Sequence, residues 1–383
     1  MSDSSHKIKF YPVDNADNVL IKLSDNTTII IDCQIRDCEK NSDGIKTFDV
    51  KNDLLEELQK DSKDNHYVDL FINTHPHNDH CSGFEKHFYC GDPTNYSKSN
   101  KANNEIIIGE LWVTQMIFSN NLCDDASAIR REAKRRKKLF EDKSSDSNKY
   151  GNRIRIIGYN DNNLKVEGLH YVPGTSVTSF NGKDCPYLSM FIHAPFKSDL
   201  VRGQADKDHN ATSIVLQLQF KMQIGGETVS RFIIGGDADH YVWEKVLEKS
   251  KNNNNEDKLR WDLFLAPHHC SWSFFNDRPY ENNTSPKDYS IEFLNYANEN
   301  AHIIASSKKI ENKEPNPPHY SAKLEYEKKV TTSKFKNTAI NKNEKAPEPL
   351  VYIINNAGFK LEKATIPATQ SILSTPTPRA GRN

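Results

Sequence analysis

Seven residues constrain this chain more than any others: Thr74-His75-Pro76-His77-Asn78-Asp79-His80, directly after the apolar run 67–73 (YVDLFIN). A short apolar run bounded by turn residues reads as a buried strand, so the seven residues sit where a strand leaves its sheet. In an extended segment alternate side chains share a side. His75 and His77, two apart, therefore converge on one point. Asp79 and His80 follow where the chain is expected to turn into a helix, so they face a second point nearby. Imidazole with carboxylate is the donor set that suits Zn²⁺ and tolerates Mn²⁺ or Fe. The competing reading is a solvated histidine-rich turn. Four metal-competent residues within six positions at a strand exit weigh against it.

Two later segments repeat the pattern of an apolar run followed by donors. Residues 232–236 end in Gly-Gly and lead into Asp237. Glycines let a backbone turn sharply and approach a site closely. A carboxylate placed there can bridge two metals, although Gly-Gly-Asp alone is only a turn. Residues 262–267 (DLFLAP) run into His268-His269-Cys270-Ser271. One of His268 and His269 is expected to ligate the second metal, and the other to serve beside it or as a proton donor. The letters do not choose between them.

Strands are expected at 7–13, 19–23, 27–32, 67–73, 106–113, 153–159, 187–193, 212–220, 230–235, 263–266 and 302–306, with a closing hairpin at 351–355 and 359–361. Helices are expected at 49–61, 123–142 and 242–249. No repeat of 20–50 residues and no Gly/Ser- or Pro-rich linker divides the chain. One α/β domain over 1–365 is the economical reading, with polar insertions at 86–105, 123–152, 250–257 and 332–348. A flexible C-terminal tail follows at 366–383. Only 36% of the 383 residues are hydrophobic, which fits a normal core interrupted by such segments.

The 51 Lys+Arg against 52 Asp+Glu exclude a globally basic binder of nucleic acid, so any such contact would be local. No apolar run reaches about 18 residues, so no membrane span is expected. The N-terminal residues lack the apolar stretch of a secretory signal. Seven cysteines without a CxxC pair fit a reducing cytoplasm.

Residues 74–80 resemble the HxHxDH signature of the metallo-β-lactamase fold superfamily. Within it the chain is most similar to the ComEC-like metallohydrolase group. The likeness extends through Ile-Asp at 31–32, Asn210-Ala211-Thr212-Ser213, Gly236-Asp237, Asp262 through His268-His269-Cys270-Ser271, Ser306-Ser307, and Asn316 with His319. It spans about residues 7–362. It implies an αββα sandwich holding two divalent ions, zinc first, with manganese or iron as alternatives. It also implies hydrolysis by a metal-bridging hydroxide.

The ligands implied are His75, His77, Asp79, His80, His209, Asp237 and His269. Asp79, His268 and His319 are implied in catalysis. Three departures stand out. Cys270 occupies a position where that group has glycine. Residues 10–18 lack the usual opening glycines. The third histidine of the first metal is open among His193, His209 and Asn210, with His209 at the matching spacing.

Phosphodiester cleavage of a nucleic acid or nucleotide is the expected activity. Hydrolysis of a lactone, thioester or β-lactam is the alternative, since fold does not fix substrate. A partner-dependent or non-enzymatic role in a multi-protein system is the third reading. The basic stretch 130–138 either tracks a phosphodiester backbone or is a solvated helix face balanced by Glu132, Glu141 and Asp142.

Overall fold

A computed structural model describes residues 5–120, 122–206, 209–278, 284–313 and 316–362. The tail expected over 366–383 lies outside them. Apolar runs rich in Ile, Val and Phe become strands between Asp/Asn turns, because branched and aromatic side chains pack well on a pleated surface. The strands form two large sheets.

The first sheet has ten strands. Its order is Gly358–Leu361, Leu350–Asn355, His6–Phe10, Val19–Lys22, Thr28–Ile31, His66–Ile72, Ile107–Thr114, Arg153–Ile157 and His170–Tyr171, with Gln59–Lys60 beside His66–Ile72. Neighbours are antiparallel up to Thr28–Ile31 and parallel from there to His170–Tyr171. The second sheet has seven strands, in the order Phe335–Asn337, Ala297–Ala305, Trp261–Leu265, Thr228–Ile234, Val215–Lys221, Leu188–Ala194 and Ser176–Val177. Here the first four run parallel and the rest antiparallel.

Three cores define the layers. Ile8, Phe10, Ile29, Ile31, Leu70 and Ile72 of the first sheet pack with Leu216, Leu218, Phe232, Ile234, Leu263 and Ile304 of the second. The opposite face of the first sheet (Ile30, Val68, Phe71, Leu111) meets Leu54, Phe84, Ala126, Ile129 and Ala133 from helices. The far face of the second sheet (Val215, Ile233, Phe264, Ile303) meets Val242, Trp243, Phe293, Ala322 and Tyr326. The chain is thus a mixed α/β structure layered helix, sheet, sheet, helix. The central strand Ile107–Thr114 is buried along its whole length because both of its faces are covered.

Several boundaries differ from the expectation, each for a local reason. The helix expected at 49–61 spans Val50–Glu57, since Leu58 is extended and Gln59–Lys60 pairs as a strand. The segment 123–152, read as an insertion, contains the 18-residue helix Asp124–Glu141, which forms part of the outer layer. Its buried stripe is small (Ala126, Ile129, Ala133) and is masked in sequence by seven Arg and Lys residues. Residues 332–348, read as a polar insertion, supply the edge strand Phe335–Asn337.

The basic run is largely taken up by the fold. Arg135 and Arg136 pair with Glu132, Arg131 with Glu85, Lys137 with Glu141 and Lys138 with Asp142, while Arg130 donates to the Ser119 carbonyl.

Candidate metal centre

Five strands that point the same way end at one edge of the two packed sheets, and their ends carry the polar residues. Asp32 follows Thr28–Ile31, the 74–80 turn follows His66–Ile72, and Asp237 follows Thr228–Ile234. His268 and His269 follow Trp261–Leu265, and Ser306 follows Ala297–Ala305. Parallel sheets gather ligands at their carboxyl ends for this reason. Register brings Ile31 beside Ile72, so Asp32 lies against Thr74: the Thr74 N–H (2.7 Å) and hydroxyl (2.6 Å) both donate to its carboxylate. The Thr74 carbonyl accepts from Ile214 N–H at 3.0 Å, which fastens this turn to the second sheet.

Gly235 and Gly236 allow the approach of Asp237. A Cβ on Gly236, whose φ is 49°, would stand 2.7 Å from Thr74 Oγ1, and one on Gly235 would stand 2.5 Å from the Trp243 ring. Asp237 is buried, with its N–H donating to Ser213 Oγ at 3.2 Å. Its Oδ1 lies 3.0 Å from His80 Nε2 and 3.8 Å from His269 Nε2; its Oδ2 lies 3.6 Å from both His75 Nε2 and His268 Nε2. His75 Nε2 and His77 Nδ1 are 3.1 Å apart, and His269 Nε2 is 3.2 Å from Asp79 Oδ2.

Two sets of donor atoms therefore gather around one carboxylate. His75, His77 and Asp237 form one; Asp79, His80, Asp237 and His269 form the other. A third set, Asp17, Asp32 and His80, backs them.

The electrostatics follow from burial. It pushes the His75 and His77 imidazoles down, His77 to about 4, so both present nitrogen lone pairs at neutral pH. Burial also opposes charge on His80 and His269, but carboxylates prevail: Asp237 and Asp32 push His80 up, and Asp237 and Asp79 push His269 up. Burial would raise Asp237, yet the surrounding imidazoles hold it well below the carboxylate range. Asp17 stays raised at about 6, chiefly by burial.

Buried carboxylates in such numbers call for positive charge among them. His80 Nε2 and Asp237 Oδ1 are buried and neither meets hydrogen-bond geometry. The outer nitrogens are already engaged: His80 Nδ1 donates to Asp32 at 2.8 Å and His269 Nδ1 to the Ser306 carbonyl at 3.1 Å. That arrangement aims each Nε2 inward, as supporting hydrogen bonds do at metal sites. By donor chemistry, and by the convergence of these inward nitrogens on Asp237, the residues fit a divalent ion.

The other residues singled out from sequence lie as follows. His209 stacks on His77, with ring centroids 5.3 Å apart, and stands outside both donor sets. His193 is remote: its Nε2 donates to the Lys258 carbonyl at 2.9 Å, beneath the helix His240–Asn252. The Asn210 carbonyl accepts from Ser213 N–H. His268 is partly exposed, and its Nδ1 is 3.3 Å from Ser273 Oγ. His319 accepts from Trp272 N–H on Nδ1 at 3.0 Å, which places its own proton on Nε2. Cys270 has φ 68°, a left-handed conformation in which glycine is unstrained, and this accounts for glycine in the resembled motif.

Sequence reasoning missed Asp17 and the supporting role of Asp32. Asp32 had a signal, an aspartate closing a strand. Asp17 had none, because it sits in an Asp/Asn-rich segment that reads only as a turn.

No protein-family model matches the chain, and no curated protein matches it. The class defined by fold and site is thus an α/β protein with buried His/Asp groups that could hold metal.

Proposed function

We propose that the chain is a hydrolase of the metallo-β-lactamase fold carrying two divalent ions, with zinc first and manganese or iron as alternatives, and that it cleaves phosphodiester bonds. The observation that carries this reading is the sharing of one buried carboxylate, Asp237, by two His/Asp groups. His75, His77 and Asp237 would hold one ion, with His209 adjacent; Asp79, His80, Asp237 and His269 would hold the other. Bound there, the ions supply Lewis acidity for hydrolysis at neutral pH. Support also comes from the helix-sheet-sheet-helix layering and from the sequence resemblance.

The side chains supply the rest. Asp79 is 37% exposed and anchored by His269, so it stands at the mouth of the site, where it orients the attacking water. His268, 28% exposed and steadied by Ser273, donates a proton to the leaving oxygen. His319, with its Nε2 proton, is the alternative donor.

One observation favours the second reading, a small carbonyl substrate. A groove of about 660 Å³ beside His77 is lined by the uncharged Asn78, Gln115, Met116, Ser119 and Gln204, together with Asp161. Five cations of the basic helix, Arg131, Arg135, Arg136, Lys137 and Lys138, are paired with carboxylates, while Arg130 reaches the groove only through the Ser119 carbonyl. The test is incubation with zinc or manganese and bis-p-nitrophenyl phosphate, single-stranded DNA, a cyclic dinucleotide, a lactone and a thioester. The expected result is phosphodiester turnover that falls by on the order of 10³-fold in Asp79→Ala and Asp237→Ala. Turnover of the carbonyl substrates alone would install the second reading. Fewer than one bound ion per chain would overturn both.

A further inference from the structure

All seven cysteines are free thiols. Among the described residues one pair is in contact: Cys81 Sγ and Cys123 Sγ lie 3.6 Å apart. They are 42 positions apart in sequence, so no CxxC spacing announces them. Cys81 directly follows His80 and is buried, with its Sγ 3.0 Å from the His77 carbonyl oxygen. Its single S–H thus faces both that carbonyl and the second sulfur. Cys123 is half-buried, caps the N-terminus of helix Asp124–Glu141 and lines the groove beside His77. One sulfur is therefore reachable from the groove, and the other lies behind it, within the turn that carries the ligands.

We propose that Cys81 and Cys123 form a reversible thiol–disulfide pair that links oxidation to the metal-ligating turn 75–80. The disulfide itself is independent of the metal reading; its effect on the ions rests on that reading.

A disulfide bond of about 2.05 Å requires roughly 1.5 Å of sulfur travel from the observed separation. With hydrogen peroxide as oxidant, the half-buried Cys123 sulfur, reached from the groove, attacks one peroxide oxygen. The O–O bond breaks, the departing hydroxide takes the thiol proton to give water, and Cys123 becomes a sulfenic acid. The Cys81 sulfur then attacks the sulfenic sulfur. The S–O bond breaks, and the hydroxyl leaves with the Cys81 proton as a second water. Two thiols and one peroxide give one disulfide and two waters. Cys81 then no longer donates to the His77 carbonyl, and the turn between His77 and His80 is tied to the helix start. Exposed Cys38 and Cys90 have no sulfur neighbour in contact among the described residues, so they cannot close in this way.

The test is to treat the full-length chain with hydrogen peroxide, map peptides without reduction, and titrate zinc against a competing chelator. The expected result is loss of two thiols, a linked Cys81–Cys123 peptide reversed by dithiothreitol, and zinc affinity at least 10-fold weaker. Cys123→Ser, with its fold checked by circular dichroism, is expected to bind zinc like the reduced parent and to be insensitive to peroxide. Sulfinic acid at Cys123, or linkage to Cys38 or Cys90 with Cys81 still a thiol, would overturn the pairing. A linked peptide with unchanged zinc affinity would overturn the coupling. If the reduced chain binds no zinc, the metal reading fails and the coupling with it, while the peptide map still decides the disulfide.

Discussion

Asp32 shows how much of this site depends on a residue that would touch no ion. Its carboxylate accepts from Thr74 N–H and hydroxyl and from His80 Nδ1, so it fixes the ligand turn and the orientation of His80 together. Asp32→Asn keeps the size but replaces one acceptor oxygen with an NH₂ that cannot accept. The expected outcome is zinc affinity lowered 10- to 100-fold with secondary structure retained, read by chelator competition and circular dichroism. Unchanged affinity would mean that His80 is oriented by something else.

The contrast with the ligand turn explains what was legible. His75, His77, Asp79 and His80 are contiguous, so one strand exit displayed them all. Asp237 and His268–His269 were legible because each follows an apolar run. The contributions of Asp17 and Asp32 depend on which strand ends become neighbours, and local letters do not encode that. His193 and His209 were both candidates in sequence, His193 as the end of a strand and His209 by the matching spacing. They separate in space because His193 meets the Lys258 carbonyl and Ser250 of the helix His240–Asn252, while the segment 209–212 runs past His77.

At the scale of elements, helix Asp124–Glu141 read either as a track for a polyanion or as a balanced helix face, and its inner face packs as part of the outer layer. Glu132 and Arg136 are 2% and 1% exposed. Arg136 donates to Glu132 Oε1 at 2.6 Å and to the Arg153 and Ile108 carbonyls at 2.9 and 3.0 Å, so it ties the helix to two strands of the first sheet. Removing one partner strands a buried charge. Glu132→Ala is therefore expected to destabilise the fold by about 3–5 kcal/mol in urea unfolding. Arg131→Ala breaks only an exposed pair with Glu85, and is expected to cost less than about 1 kcal/mol. Comparable losses in both variants would contradict the assigned layer. The strands were legible from apolar runs alone. This helix was legible as a helix but not as core, because its buried face consists mostly of alanine and of the paired Glu132 and Arg136.

Across the whole molecule, the site is the seam between the two sheets, and the histidines divide by what surrounds them. Those at the seam sit among carboxylates. Others are buried away from the seam: His193 is 3% exposed and His87, 3.8 Å from the exposed Asp37, is 7% exposed, and burial pushes both imidazoles down to about 4. His193 meets the Lys258 carbonyl and lies near Ser250, with Lys258 disfavouring its charge and Asp257 favouring it more weakly. The ordinary imidazole value is 6.5, so the folded-state value is depressed. The unfolded chain gains protons below pH 6.5 that the folded chain refuses. The stability held by neutral His193 is therefore fully present above pH 6.5 and is lost as pH falls through about 4. A depression of this size corresponds to roughly 3 kcal/mol. Urea unfolding of the chelator-treated chain at successive pH values reads this directly. His193→Gln keeps an N–H for the Lys258 carbonyl but removes the titrating ring. Its unfolding free energy is expected to fall less steeply between pH 6.5 and 4, with the slope reduced by up to about 1.4 kcal/mol per pH unit. Parallel pH profiles for parent and variant would show that His193 titrates normally, and that the acid sensitivity belongs to the carboxylates and histidines of the seam.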